Sequence, residues 1–335
     1  MSWLITADLH LTDRPEHAYR FKFLEWLHQQ AIEERATQIF LLGDITDQKD
    51  RHSAWLVQEV VHAIMKLATV CDLHILYGNH DGPSLDRPYW KFLASLRSTR
   101  PICYYTKVVH VDSCIMSPWG CENEAVSDVR TAMTGTIPSF MFMHATVNGA
   151  KTENGTVMEG SCPSSFVPKN TRLKVFSGDI HVPQRVGDVE YVGAPYHVHY
   201  GDGFEPRVLL LNPNSGKTRD IHWDGAPRLH TLHLSVGSFS LPDRVGNGDR
   251  VKIVASTDVA LLPADWQSYI QAIRKVIEAR GATLTTALLE NKVKADALRA
   301  LAAARRGDDE IVRNFAEHQK YSDQVTTVGV ELAKP

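Results

Sequence analysis

Asp, His and Asn side chains gather in five short clusters along the chain: Asp8-Leu9-His10, Gly43-Asp44, Gly78-Asn79-His80-Asp81, His144, and Gly178-Asp179-Ile180-His181. Carboxylate, imidazole and amide donors together suit Mn2+, Fe2+ or Zn2+, and the lack of thiolates speaks against a structural zinc site. Asp8, His10, Asp44, Asn79, His144, Asp179 and His181 are more ligands than one ion needs. Two ions about 3.5–4 Å apart, sharing one carboxylate, would use the whole set and suit in-line displacement at phosphorus. The clusters differ in specificity. A lone Asp-x-His or Gly-Asp arises often by chance, and any one of the 16 histidines is more often a surface or core residue. Gly-Asn-His-Asp after a buried strand has no ordinary packing purpose, and the recurrence of all the clusters in order carries the weight.

Each cluster follows an apolar run that reads as a strand. Trp3–Ala7, Gln38–Leu42 and Asp72–Tyr77 alternate with two helical patterns. The first helix, Ala18–Arg35, carries Phe23, Leu24, Leu27, Ala31 and Ile32 at helical spacing; the second runs from a Ser53 cap through Leu67. This β-α-β-α-β order implies parallel strands with helices packed on the sheet, and ligands then collect at the carboxyl ends. From about residue 108 short runs such as CIMSPW, SFMFMH, LKVFS, VEYVG and RVLLLN follow one another, with one helix expected in Glu122–Met133. They suggest a second, more antiparallel sheet. The fold class is therefore α/β, with residues 1–225 forming a two-sheet sandwich flanked by helices.

The pattern restarts near Trp223–Pro227. Strands at Leu229–Ser235, Arg250–Ser256 and Ala282–Leu288, with a helix at Ala264–Arg280, make a small α+β domain over residues 226–290. Residues 291–335 read as charged helical stretches broken at Gly307, the second with Ile311, Val312 and Phe315 as an apolar stripe.

Composition sets bounds on all of this. Hydrophobic content of 43% and charged content of 22% are those of an ordinary globular protein, and two domains are the natural expectation for 335 residues. The opening MSWLITADLH lacks the features of a secretion signal, and no apolar run approaches bilayer length, so a cytoplasmic setting, bacterial or phage-infected, is expected. Five cysteines without a CxxC pair fit core or loop thiols in a reducing compartment; Cys114 and Cys121 have no second pair with which to complete a zinc site. A net charge of −3 does not advertise nucleic-acid binding, although bound cations would add local positive charge.

The ordered Asp-Leu-His, Gly-Asp, Gly-Asn-His-Asp, His and Gly-x-x-His motifs over residues 1–225 resemble those of the calcineurin-like metallophosphoesterase superfamily. Within it the chain looks most like SbcD-type DNA nuclease subunits, especially the shorter phage recombination endonuclease subunits. Pro118-Trp119-Gly120-Cys121, the Gly178–Gln184 segment GDIHVPQ, and Tyr191-Val192-Gly193-Ala194-Pro195 carry that likeness. The resemblance implies one metal on Asp8, His10, Asp44 and His181, and a second on Asp44, Asn79, His144 and Asp179, with Asp44 shared. It makes His80 the group that protonates the leaving oxygen or stabilises developing charge, and Asp47 the carboxylate that orients it. Asp179 departs from the His usual in the family. Its harder oxygen favours Mn2+, with Mg2+ as the alternative, or else marks a weak second site. His197 and His199 are candidates either for substrate contact or for solvated loop residues.

The same resemblance implies a DNA exonuclease with endonuclease activity, working in recombination or repair with an SMC-like coiled-coil ABC-type ATPase. Residues 226–290 would position DNA, and the ATPase would dock on the C-terminal helices. Ile311, Val312 and Phe315 are candidates for that contact or for closing the second domain. A homodimer through the helices flanking the first sheet is implied as well. A small-molecule phosphatase or cyclic-nucleotide phosphodiesterase, and a non-catalytic metal-binding scaffold, are the competing readings.

Overall fold

A computed structural model of the protein describes residues 1–131, 138–169, 171–234, 241–257 and 266–291. Ile311, Val312 and Phe315, with the expected C-terminal helices, lie outside the described residues. The chain divides into two compact units, Met1–Leu229 and His230–Pro335. No helix among the described residues is long and apolar enough to cross a membrane.

The first unit is an α/β sandwich of two mixed six-stranded sheets with flanking helices. Sheet one is built on β1 (Ser2–Thr6), β2 (Ala36–Leu41), β3 (Asp72–Leu76) and β4 (Ile102–Tyr105), all parallel. Two later strands, β11 (Val208–Leu211) and β12 (Thr218–Ile221), extend it antiparallel beyond β1. The connections α1 (Tyr19–Glu33) and α2 (Ala54–Leu67) pack on its outer face through Phe23, Leu24, Leu27, Val60 and Ile64. Ser53 caps α2 by accepting a hydrogen bond from the Leu56 N–H.

Sheet two runs in the order β5 (Val109–Val111), β6 (Cys114–Ser117), β7 (Phe140–His144), β8 (Lys174–Gly178), β10 (Val189–Tyr191), β9 (Gln184–Val186). It differs from the expected antiparallel character. The β6-β7, β7-β8 and β8-β10 pairs are parallel, and only the edge pairs β5-β6 and β9-β10 are antiparallel. Parallel neighbours need long crossovers. Here α3 (Glu122–Thr131) lies in the β6–β7 crossover, the β8–β10 crossover runs through edge strand β9, and the one between β7 and β8 carries no helix among the described residues, so it left no helical period in the sequence.

Between the sheets lies an aromatic layer of Trp3, Phe40, Phe140, Phe142 and Phe176. The Phe40 and Phe142 rings stack at 4.0 Å between centroids. Strands buried on both faces account for the near-continuous apolar runs before each ligand cluster. The five cysteines are free thiols, with Cys71, Cys114 and Cys162 buried.

In the second unit β13 (Leu229–Leu234), β14 (Arg250–Thr257) and β15 (Thr283–Asn291) form a three-stranded sheet in that order. The β14–β15 pair is parallel, joined through α4 (Trp266–Ala279), whose Ile273 and Ile277 pack with Val251, Ile253 and Leu284. A buried His230–Asp249 pair at 2.9 Å fixes the start of β13 to the start of β14.

Candidate metal centre

The carboxyl ends of β1, β2, β3, β7 and β8 share one end of the sandwich, and the predicted ligands meet there. The loops after β1 and β2 continue side by side: the Asp8 N–H bonds the Gly43 carbonyl, His10 bonds Asp44, and Leu11 bonds Ile45. The Asp179 N–H then donates to Asp8 Oδ1 at 3.1 Å, tying β8 of one sheet to β1 of the other. Two glycines are forced by this crowding. A Cβ on Gly43, which has φ 93°, would strike the His144 ring and stand 2.9 Å from Gly78 Cα. One on Gly78 would collide with the Asp44 carboxylate and amide. Asp8, His10, Asp44 and Asp179 themselves adopt positive φ of 55°, 43°, 56° and 82°. Left-handed backbone at four non-glycine residues is strained, and such strain collects where side-chain direction is fixed by function.

The side chains converge in two groups on either side of Asp44. On one side, Asp44 Oδ2 lies 3.5 Å from His10 Nε2, which stands 3.1 Å from His181 Nε2. Asp8, His10 and His181 offer ligand atoms all within 4.8 Å of one another, as do Asp8, Asp44 and His144. On the other side, His144 Nε2 faces Asn79 Oδ1 at 3.0 Å, Asp44 Oδ1 at 3.6 Å and Asp179 Oδ1 at 3.7 Å. All seven predicted ligands are thus brought together, and Asp44 presents one oxygen to each group.

Several observations test whether cations fit. Asp8 Oδ2, His10 Nδ1 and His181 Nδ1 are buried with no hydrogen-bond partner. Burial raises the Asp8 carboxyl well above its usual range; the nearby His144 opposes this, and Asp44 and Asp179 add to it. Asp44 is raised by burial as well. His10 is pushed well below the usual imidazole value, by burial first and then by His181 and His80. His181 falls to about 4, by burial and then by His199. Burial alone would lower His144, but the Asp44, Asp179 and Asp8 charges outweigh it and raise the group to about 9. Crowded buried carboxylates beside two neutral imidazoles 3.1 Å apart form a donor set that positive charge would stabilise. The residues fit a pair of divalent cations.

His80 stands against this centre, its ring 5.0 Å from that of His10. The His80 main-chain N–H donates to Asp44 Oδ1 at 2.9 Å. The expected pairing with the Asp47 carboxylate is corrected here. His80 Nδ1 lies 2.6 Å from the Asp47 backbone carbonyl, while the Asp47 carboxylate lies 3.6 Å from His10 Nδ1. Asp47 therefore orients His80 with its main chain. A carbonyl only accepts, so Nδ1 carries the proton and Nε2 is left to exchange one.

His197 is corrected too. It is buried, with Nε2 bonded to the Phe204 carbonyl and Nδ1 accepting from the Leu229 N–H, so both ring nitrogens serve the fold. His199 is exposed and stacks on His181 at 5.4 Å.

Four supporting residues escaped the sequence reading. Asp81 Oδ2 accepts from the Asp44 and Gly78 N–H groups and Oδ1 from Ile45, lashing two ligand loops together. Burial, and then Asp44, push its carboxyl to about 7. Thr146 donates to Asp179 Oδ2. Arg20, buried on α1, donates to the carbonyls of His10 and Val198, and the Tyr196 hydroxyl donates to Leu9. Asp81 had a signal, since it closes the Gly-Asn-His-Asp cluster. Arg20 had none, because a lone arginine in an amphipathic helix reads as solvated.

The profile of the family described as calcineurin-like phosphoesterase matches residues 1–183. Exonuclease subunit 1 of Enterobacteria phage T4 is 28% identical over 149 residues, 42% of this chain and 41% of that protein. The match thus spans about two fifths of that relative's length. The solved structure of Yfce, a phosphoesterase from E. coli, aligns over 66% of this chain and 98% of its own, with a TM-score of 0.32 and 13% identity.

Proposed function

Since the chain belongs to the calcineurin-like phosphoesterase family, we propose that it is a two-metal phosphodiesterase that cuts DNA, acting as the nuclease subunit of a recombination or repair complex. The observation that carries the hydrolytic half is the placement of Asp44 between the two donor groups, one carboxylate oxygen 3.5 Å from His10 and the other 3.6 Å from His144. The likeness to an exonuclease subunit supports the choice of DNA.

In this reading Asp8, His10, Asp44 and His181 would hold one cation, and Asp44, Asn79, His144 and Asp179 the other. Divalent ions bound there supply charge that polarises a phosphoryl oxygen and makes water a stronger nucleophile near neutral pH. The remaining work falls to the chain. The Asp47 carbonyl holds His80 Nδ1–H, which leaves Nε2 as the nitrogen that, in the doubly protonated imidazolium, gives its proton to the departing oxygen and returns the ring to its neutral Nδ1–H form. Asp81 and Arg20 hold the ligand loops in register. Thr146 aims Asp179, whose oxygen donor favours Mn2+ or Mg2+ over softer ions.

The unit after Leu229 positions DNA, and an SMC-like ATPase docks on the C-terminal stretch containing Ile311, Val312 and Phe315. The word "subunit" in the T4 protein's name supports a partner of some kind. His199 contacts substrate, and a homodimer forms through the helices of sheet one.

The test is cleavage of end-labelled duplex and single-stranded DNA with Mn2+ or Mg2+, with His80→Ala alongside. The wild type cuts; the variant keeps its metal content and loses about two to four orders of magnitude in turnover. Equal turnover, or loss of one metal, would overturn the role of His80. Hydrolysis of a small aryl phosphodiester without DNA cleavage would instead favour a small-molecule enzyme.

A further inference from the structure

Beside the metal centre a cavity of about 320 Å³ opens, lined by Lys151, Glu153, Val182, Gln184, Gly203 and Phe204 among others. It adjoins the centre directly: Glu153, His181 and His199 present ligand-type atoms within 4.8 Å of one another, and Val182 follows His181 in the chain. Its walls are tied together by hydrogen bonds to the main chain. Gln184 accepts from the Lys151 N–H at 3.0 Å and donates back to the Lys151 carbonyl at 2.6 Å. Asp202 Oδ2 accepts from the N–H groups of Val198 and His199. The Phe204 carbonyl is gripped by the His197 ring, whose centroid stands 5.3 Å from that of Phe204. No ion pair of the Lys151 ammonium occurs among the described residues. Exposed Lys151 and half-buried Phe204 thus line one small depression next to where a phosphate would react.

We propose that this cavity is a nucleoside subsite, in which Phe204 stacks on an unpaired base adjoining the scissile phosphate and Lys151 meets the next phosphate along the strand. The assignment rests on the phosphodiesterase reading above. Aromatic faces accept any base, so the subsite selects unpaired nucleotides without reading their sequence. The volume lies at the lower end for ligand pockets and suits one base, and a base stacks on Phe204 only with a face freed from its neighbours. A duplex therefore has to present a frayed or single-stranded nucleotide here.

The test is inhibition of bis(p-nitrophenyl) phosphate hydrolysis by the Mn2+-loaded full chain, with two competitors. One is phosphorothioate trithymidylate; the other is the same backbone with abasic tetrahydrofuran sugars. In the wild type the base-bearing strand inhibits on the order of tenfold more tightly. Phe204→Leu keeps apolar volume and brings that ratio close to one, Phe204→Tyr restores it, and Lys151→Met weakens both competitors alike. Arg172→Ala, outside this cavity, leaves the ratio as in the wild type, and thermal melts of each variant exclude misfolding. An unchanged ratio in Phe204→Leu, or equal inhibition by both competitors in the wild type, overturns the subsite. A wild type that shows the base preference yet never cuts a labelled oligonucleotide keeps the subsite and refutes the DNA-cutting reading instead.

Discussion

Burial raises the carboxyls of Asp8 and Asp44, and the Asp44, Asp179 and Asp8 charges keep His144 protonated up to about 9. Cations entering this group must displace protons. Uptake of Mn2+ is therefore expected to release protons, and its apparent affinity to rise with pH between weakly acidic and neutral conditions. Titration calorimetry in buffers of different ionisation enthalpy measures the count; a value of zero would contradict the buried-acid picture. Removing metal with a chelator should lower stability, since ions that bind only the folded state add about 2.7 kcal/mol at a hundred times their Kd. A melt with and without chelator reads this out. Asp81 yields a second expectation. Replacing it with Ala leaves three N–H groups of the ligand loops without their acceptor and should cost about 3 kcal/mol while weakening metal binding. A silent Asp81→Ala would show that the loops are held by something else.

At the scale of the element, short parallel strands of one sheet carry ligands in Asp8, Asp44 and Asn79, and those of the other carry His144 and Asp179. Their aromatic layer must hold the two sheets in register. Phe142→Ala, emptying space against Phe40 and Phe176, should cost about 3–5 kcal/mol and loosen the centre with it. His74 on β3 supplies a pH signature. Burial holds it at about 4, against 6.5 for the free side chain, while Nδ1 meets the Tyr105 hydroxyl. Between those values the unfolded chain binds a proton that the folded one refuses. The stability contributed is thus complete above 6.5 and is lost as pH falls towards 4, about 3 kcal/mol at most. Urea melts of His74→Phe across this window should show a shallower acid loss than the wild type.

The ligand-bearing strands were legible because strands buried on both faces leave unbroken apolar runs with polar clusters at their ends. The orientation of sheet two was not, since the β7–β8 crossover lacks a helical period. Nor was the Asp47 carbonyl as the partner of His80, because side-chain identity says nothing about main-chain acceptors. The structural role of His197 leaves no trace in the sequence for a similar reason. Its partners, Phe204 and Leu229, act through backbone atoms that leave no mark in sequence.

For the molecule as a whole, the first unit has its own cores and contains every ligand, while the second is built on a separate sheet and a separate core. Removing residues 230–335 is expected to abolish cleavage of duplex DNA and spare hydrolysis of a small aryl phosphodiester. Undiminished DNA cleavage by the truncated protein would leave the second unit without its proposed task. The left-handed backbone of Asp8, His10, Asp44 and Asp179 sets the fold's interest against that of the centre. Asparagine at Asp8 or Asp44 tolerates that backbone, keeps an oxygen for the Asp179 or His80 main-chain N–H, and removes a crowded buried acid. Inactive mutants of this kind should melt higher than the working enzyme once chelator is present. Selection for thermal robustness alone would thus steadily erode the reactive end of the sandwich, and its persistence in a lineage would itself be a record of use.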